Sequence, residues 1–148
     1  MLVRLPGCDA ELPDNWADRS SFLFVMPADP ALSQGPSIRQ QAGSQANVGI
    51  TFDAGQAGSR EAVELRLREL SAVLPQFELV GRGMLEAGPT PTPYLEYRFT
   101  RSVRLQQITI ARSLGDRTAF VVGTSITSLF PEMRARFVEV AKSLRPLA

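Results

Sequence analysis

The sequence predicts an α+β fold, an antiparallel β-sheet with two main helices. Apolar residues alternate with a period of two in several short runs, they recur at helical spacing in only two segments, and the order along the chain is strands, helix, strands, helix. No internal repeat interrupts that order. At 148 residues and 44% hydrophobic content the chain suits a single domain, residues 1–148, large enough to bury a core without disulfide or metal staples.

Residues 10–16 read as a short strand that breaks at Pro13 into a turn, with Trp16 delivered to the core as a packing residue. The next strand ends at Met26 and alternates Phe22, Phe24 and Met26 with Ser21, Leu23 and Val25, so neither face looks built for water. Pro27 and Pro30 end it, and residues 32–46, rich in Ser, Gln, Gly and Ala, read as a mobile connection. Residues 47–52 set Val48, Ile50 and Phe52 against Asn47, Gly49 and Thr51, a further strand closed by Gly55 and Gly58.

Ser59 is a candidate N-cap for a helix over 60–74. It lacks Pro and Gly, carries Glu61 and Glu64 early, and aligns Val63, Leu67, Leu70 and Leu74 in one apolar stripe. Pro75 stops it. Residues 77–85 resume as a strand in which Gly81 and Gly83 suggest a bulge or a close approach, and the Gly88–Pro93 run reads as a hairpin loop rather than a polyproline ligand. Three strands in meander order follow, over 94–100, 103–112 and 118–126, with turns at Arg101-Ser102 and Leu114-Gly115-Asp116. The last helix, from Ser128, spaces Met133, Phe137, Val140 and Leu144 helically and gathers Arg and Lys towards its end.

Composition removes several function classes. Net charge is +1 from 16 basic and 15 acidic residues spread along the chain, which disfavours nucleic acid and anionic membranes as partners. With no histidine and one cysteine, Cys8, there is no Ser-His-Asp or Cys-His arrangement, no internal disulfide and no expected metal site. The glutamates of the first helix lie on its solvated side, the aspartates occupy turns, and Gly81-Arg82-Gly83 lacks the rest of a dinucleotide loop. The expectation is a protein that is not an enzyme and uses no cofactor. The first residues lack the basic and long apolar parts of an export signal, and no window approaches the ~20 apolar residues of a membrane span, so the expected location is the cytoplasm, without membrane insertion.

Two features go beyond an ordinary core. One is the Ser21, Leu23, Val25 side of its strand, which either one of the chain's own helices or a partner must cover. The other is Gln107, set among Val103, Leu105 and Thr109 on one strand face while Arg104, Gln106, Ile108 and Ile110 take the other. A buried amide without partners costs roughly 1–3 kcal/mol, so Gln107 either bonds within the fold or faces a later arrival, for which a helix rich in small residues is suited.

The runs Leu12-Pro13-Asp14-Asn15-Trp16-Ala17-Asp18-Arg19-Ser20, Leu74-Pro75-Gln76-Phe77-Glu78-Leu79 and Leu105-Gln106-Gln107-Ile108-Thr109-Ile110 resemble, in joint order, the effector-associated (Eag-type) chaperones of bacterial type VI secretion. These belong to the DcrB-related group with a PsbP-like α/β sandwich, and the resemblance spans nearly the whole chain. It implies a cytoplasmic homodimer that binds and shields the N-terminal transmembrane helices of a toxic effector and supports loading onto the secretion spike, itself a possible partner. Carried over by position, the client-helix groove comprises Ser21, Leu23, Gly49, Arg66, Leu70, Leu74, Val103 and Gln107. Arg66 stands where the family has a helix glutamine, Ser21 replaces a branched apolar residue, and Gly49 removes a side chain. The alternative is a DcrB-like cell-envelope protein or a non-catalytic scaffold of the same fold.

Overall fold

The computed structural model describes residues 2–5, 8–11, 13, 21–25, 46–53, 59–87, 91–115 and 117–146. Its elements are β1 (Leu2–Leu5), β2 (Cys8–Glu11), β3 (Ser21–Val25), β4 (Asn47–Asp53), α1 (Ser59–Val73), β5 (Glu78–Leu85), β6 (Thr92–Arg101), β7 (Val103–Leu114), β8 (Arg117–Ile126) and α2 (Phe130–Ser143). β1 and β2 pair as a separate antiparallel hairpin, and the other strands form one antiparallel sheet in the order β3-β4-β8-β7-β6-β5. The expected fold class is thus the observed one. The readings of Trp16, Met26, the 32–46 connection up to its last residue, Gly55, Gly58 and the tip of the Gly88–Pro93 loop lie outside the described residues.

The helices sit on opposite faces of the sheet. α1 lies over β6 and β7, where Val63 joins Leu95, Tyr97, Phe99, Ala111 and Phe120, with Leu67, Leu70 and Leu74 packed beside them. α2 lies over β8 and β7 on the reverse face and buries Phe130, Met133, Phe137 and Ala141 against Ile50, Ile108, Ile110 and Val121. Each large apolar side chain buried this way contributes roughly 1.5–3 kcal/mol before ordering costs. Alternation along β7 therefore feeds two cores, Ile108 and Ile110 to one and Leu105 and Ala111 to the other, which explains its apolar character on both faces.

Local chemistry fixes the ends of the elements. Ser102, with φ of 63°, turns β6 into β7, and Gly115, with φ of 66°, takes the left-handed position between β7 and β8. The expected bulge in β5 is present as a register shift between Leu79 and Gly81. α2 begins at Phe130 rather than Ser128, because the preceding residues form a turn and Leu129 is the N-cap without a side-chain cap bond. Its other end is held by Arg112 of β7, a buried guanidinium that donates to the carbonyls of Ala141 (2.9 Å), Lys142 (3.4 Å) and Leu144 (3.0 Å). A cation on the last carbonyls suits the helix dipole. Gly123 lets α2 approach closely, since a Cβ there would stand 2.2 Å from Phe137.

Candidate functional site

The diagonal placement of the helices leaves β4 and β3 without a described helix on the α1 face, while α1 reaches across to β8 at Phe120. Directly opposed residues of antiparallel strands share a face, so the register spells out the floor of this area. One row runs Leu23, Gly49, Val122, Thr109, Leu95; the next runs Val25, Asn47, Thr124, Gln107, Tyr97; a third runs Ser21, Thr51, Phe120, Ala111. In each row the β7 residue, with its β6 neighbour in the first two, passes beneath α1, and the β4 and β3 residues emerge beyond it. Leu23 is 67% exposed and Val25 is 50% exposed. The result is an apolar trough with β3, β4 and β8 as its floor and α1 as one wall.

The eight residues assigned to the client groove divide within this geometry. Ser21, Leu23 and Gly49 lie on the open floor, and Gln107 lies at its inner margin. A side chain at Gly49 would meet nothing nearer than the Val122 carbonyl at 4.0 Å, so the missing Cβ leaves a hollow between Leu23 and Val122 rather than relieving a clash. Arg66 belongs to the wall. Its guanidinium lies 4.6 Å from the centroid of Phe120, a cation-π contact that seals the seam between α1 and β8. Leu70 and Leu74 pack into the core under α1 and hold that wall from behind, while Val103, 37% exposed, stands at the start of β7.

The two adjacent glutamines of β7 face opposite ways and differ in saturation. Gln107 is half-buried and donates through Nε2 to Thr124 Oγ1 at 2.7 Å, so part of its hydrogen-bonding capacity is used within the fold. Gln106 is 5% exposed on the α2 face, where it accepts from Arg98 Nε (3.0 Å) and donates to Glu96 Oε2 (2.9 Å). Arg134 of α2 closes that network on Glu96 Oε1 at 2.8 Å. The sequence pattern drew attention to Gln107 and missed Thr124, Asn47 and Tyr97, which share its polar strip. Their signal is visible only once strand neighbours are known. Tyr97, buried beneath α1, shares a 2.8 Å hydrogen bond with Thr109 Oγ1. Burial pushes its phenol up to about 12, against the pull of the Thr109 bond and the Arg66 charge, so it stays neutral.

Among the described residues no group of three or more His, Cys, Asp or Glu could hold a metal ion, and no helix is long and apolar enough to cross a membrane.

Solved structures share this fold. PA94, a Pseudomonas aeruginosa protein of unknown function, aligns over 100% of this chain and 97% of its own at 24% identity and a TM-score of 0.73. LpqN of Mycobacterium tuberculosis, involved in cell envelope biogenesis, aligns over 90% of this chain and 79% of its own at 11% identity and a TM-score of 0.52. The cyanobacterial PsbP protein CyanoP of Synechocystis aligns over 66% of this chain and 65% of its own, at 12% identity and a TM-score of 0.49. At these identities the likeness to PA94 and LpqN is one of fold. No protein-family model matches the chain, and no curated protein matches it.

Proposed function

We propose that this protein is a chaperone or adaptor for a type VI secretion effector, and that the trough beside α1 receives an N-terminal transmembrane helix of that effector until loading onto the spike. The observation that carries the reading is an exposed apolar floor, Leu23 and Val25 with the hollow at Gly49, bordered by the amide of Gln107. A membrane segment held in water exposes ~20 apolar residues, and each 100 Å² covered is worth roughly 2.5 kcal/mol before ordering costs. Three strands spaced 4.7–4.9 Å apart offer a floor ~10 Å across, about the diameter of one α-helix. Gln107 and Thr124 supply polar atoms at the inner margin for a helix that presents hydroxyls or close backbone, which favours a client with small residues on one side. Release requires no chemistry, only a competing lipid or spike surface. The family resemblance adds a cytoplasmic setting and a homodimer to this proposal.

The test is co-expression with an effector's N-terminal segment followed by pull-down, comparing the natural chain with Leu23→Asp and Gln107→Ala. Loss of the client by Leu23→Asp in a chain that melts normally supports the proposal. Full retention by both folded variants rejects it.

A further inference from the structure

One arginine of the fold is finished unlike the others. Of the described arginines that are buried or half-buried, Arg98, Arg104 and Arg134 each meet a carboxylate, and Arg112 holds the last carbonyls of α2. Arg66 is the exception. It is half-buried in the wall of the trough, its guanidinium rests over the ring of Phe120, and no oxygen among the described residues accepts a hydrogen bond from it. Ala62, Val63 and Leu70, its neighbours one turn away on α1, all pack into the core, so the side chain leaves the sheet-facing flank of the helix and reaches over β8.

In a vacant trough water satisfies those N–H donors. A helix seated on the floor beside α1 displaces that water, and a guanidinium left there without an acceptor opposes binding. The ring of Phe120 attracts the charge but accepts none of the in-plane N–H bonds. The backbone carbonyls of an incoming helix are already taken by its own hydrogen-bond ladder, whereas a carboxylate matches the guanidinium fork with two parallel bonds. We infer that the helix held in the trough carries an aspartate or glutamate that pairs with Arg66. The inference rests on the chaperone proposal and narrows its client, because ionisable residues are rare in membrane segments. The register also places the acid. On β8 the row of Phe120 and the row of Thr124 lie four residues apart, ~13 Å, close to the ~11 Å rise of two helical turns. For a helix running along the strands, the acid therefore stands about seven or eight residues from the position that meets Gln107 and Thr124.

The experiment fuses ~20-residue Leu/Ala segments, each with one central serine, to a soluble carrier and measures their capture by the full chain. The segments carry Glu, Gln or Lys at that spacing from the serine, on either side of it. The natural chain is expected to hold a Glu segment about tenfold more tightly than its Gln counterpart, a comparison that needs no variant of the protein. Arg66→Gln, checked for cooperative unfolding in urea, is expected to erase the difference, and Arg66→Glu to prefer the Lys segment. Equal capture of Glu and Gln segments by the natural chain, or a Glu preference that survives in Arg66→Gln, overturns the inference and leaves the chaperone reading standing. Capture of none of the segments by the folded natural chain rejects the trough as a helix site, and the inference with it.

Discussion

Each face of the main sheet has a quarter that the described helices leave uncovered, and the two quarters are finished in opposite ways. Opposite α1, the β5 and β6 side is laced with charge: Glu78 pairs with Arg98 (3.3 Å) and Arg104 (3.2 Å), Arg104 also donates to the Gln76 carbonyl, and Glu96, Gln106 and Arg134 complete the lattice. Opposite α2, the β3 and β4 side offers Leu23, Val25, Gly49 and Val122, none of them charged. Water suffices for the first quarter. The second leaves apolar area exposed to water, and contiguous apolar exposure of this kind marks interaction surfaces. Surface finish, more than depth or enclosure, distinguishes the two.

The largest effect should come from the glycines that lie behind and within these quarters. Gly123→Ala drives a Cβ to 2.2 Å from Phe137 and is expected to cost about 3 kcal/mol or more, read as a lowered urea midpoint, whereas Gly49→Ala, with its nearest neighbour at 4.0 Å, should leave the midpoint within experimental error. Equal destabilisation by both would break the contrast. Tyr97 gives a pH signature of the covered side. Its folded pKa of about 12 exceeds the ordinary value of 10.0, so stability is intact below pH 10 and falls, by up to about 3 kcal/mol, as pH rises towards 12. Denaturation curves of Tyr97→Phe should lose that component of the fall.

Leu23→Asp is expected to weaken client capture about 100-fold, roughly 2.7 kcal/mol, while shifting the melting temperature by no more than a degree or two, because Leu23 is already mostly exposed. The neighbouring glutamines sharpen the comparison further. Gln106→Ala strips partners from Arg98 and Glu96 in a part-buried lattice and should cost about 1 kcal/mol of stability with client capture unchanged. Gln107→Ala removes one bond to Thr124 and should cost below about 1 kcal/mol, with its main effect on which clients are retained.

Much of this architecture was legible in the residues. Alternation in β3, β4 and β7, the stripe of Val63, Leu67, Leu70 and Leu74, and the stop at Pro75 each encode a local geometry, and local geometry is what periodicity reports. β1 was passed over because a four-residue strand interrupted by Arg4 carries too few periods to register. The trough was legible as a problem, two greasy faces on β3, but its extent was not. Which strands lie side by side depends on long-range pairing, so Thr124 beside Gln107 and Gly123 beneath Phe137 had no signature in their own neighbourhoods. The same limit hid Gln106, whose partners come from β6 and connect onward to α2.

Two of the strands that form the trough's floor, β4 and β8, are packed on their reverse side, where Ile50, Val121 and Phe137 share one core cluster. A surface backed in this way is pre-organised: it gains nothing by refolding around a guest and gives up little conformational freedom to receive one. Calorimetry of association should accordingly report a heat-capacity change set by the apolar area removed from water and by any ordering of the guest, with no contribution from folding of the host.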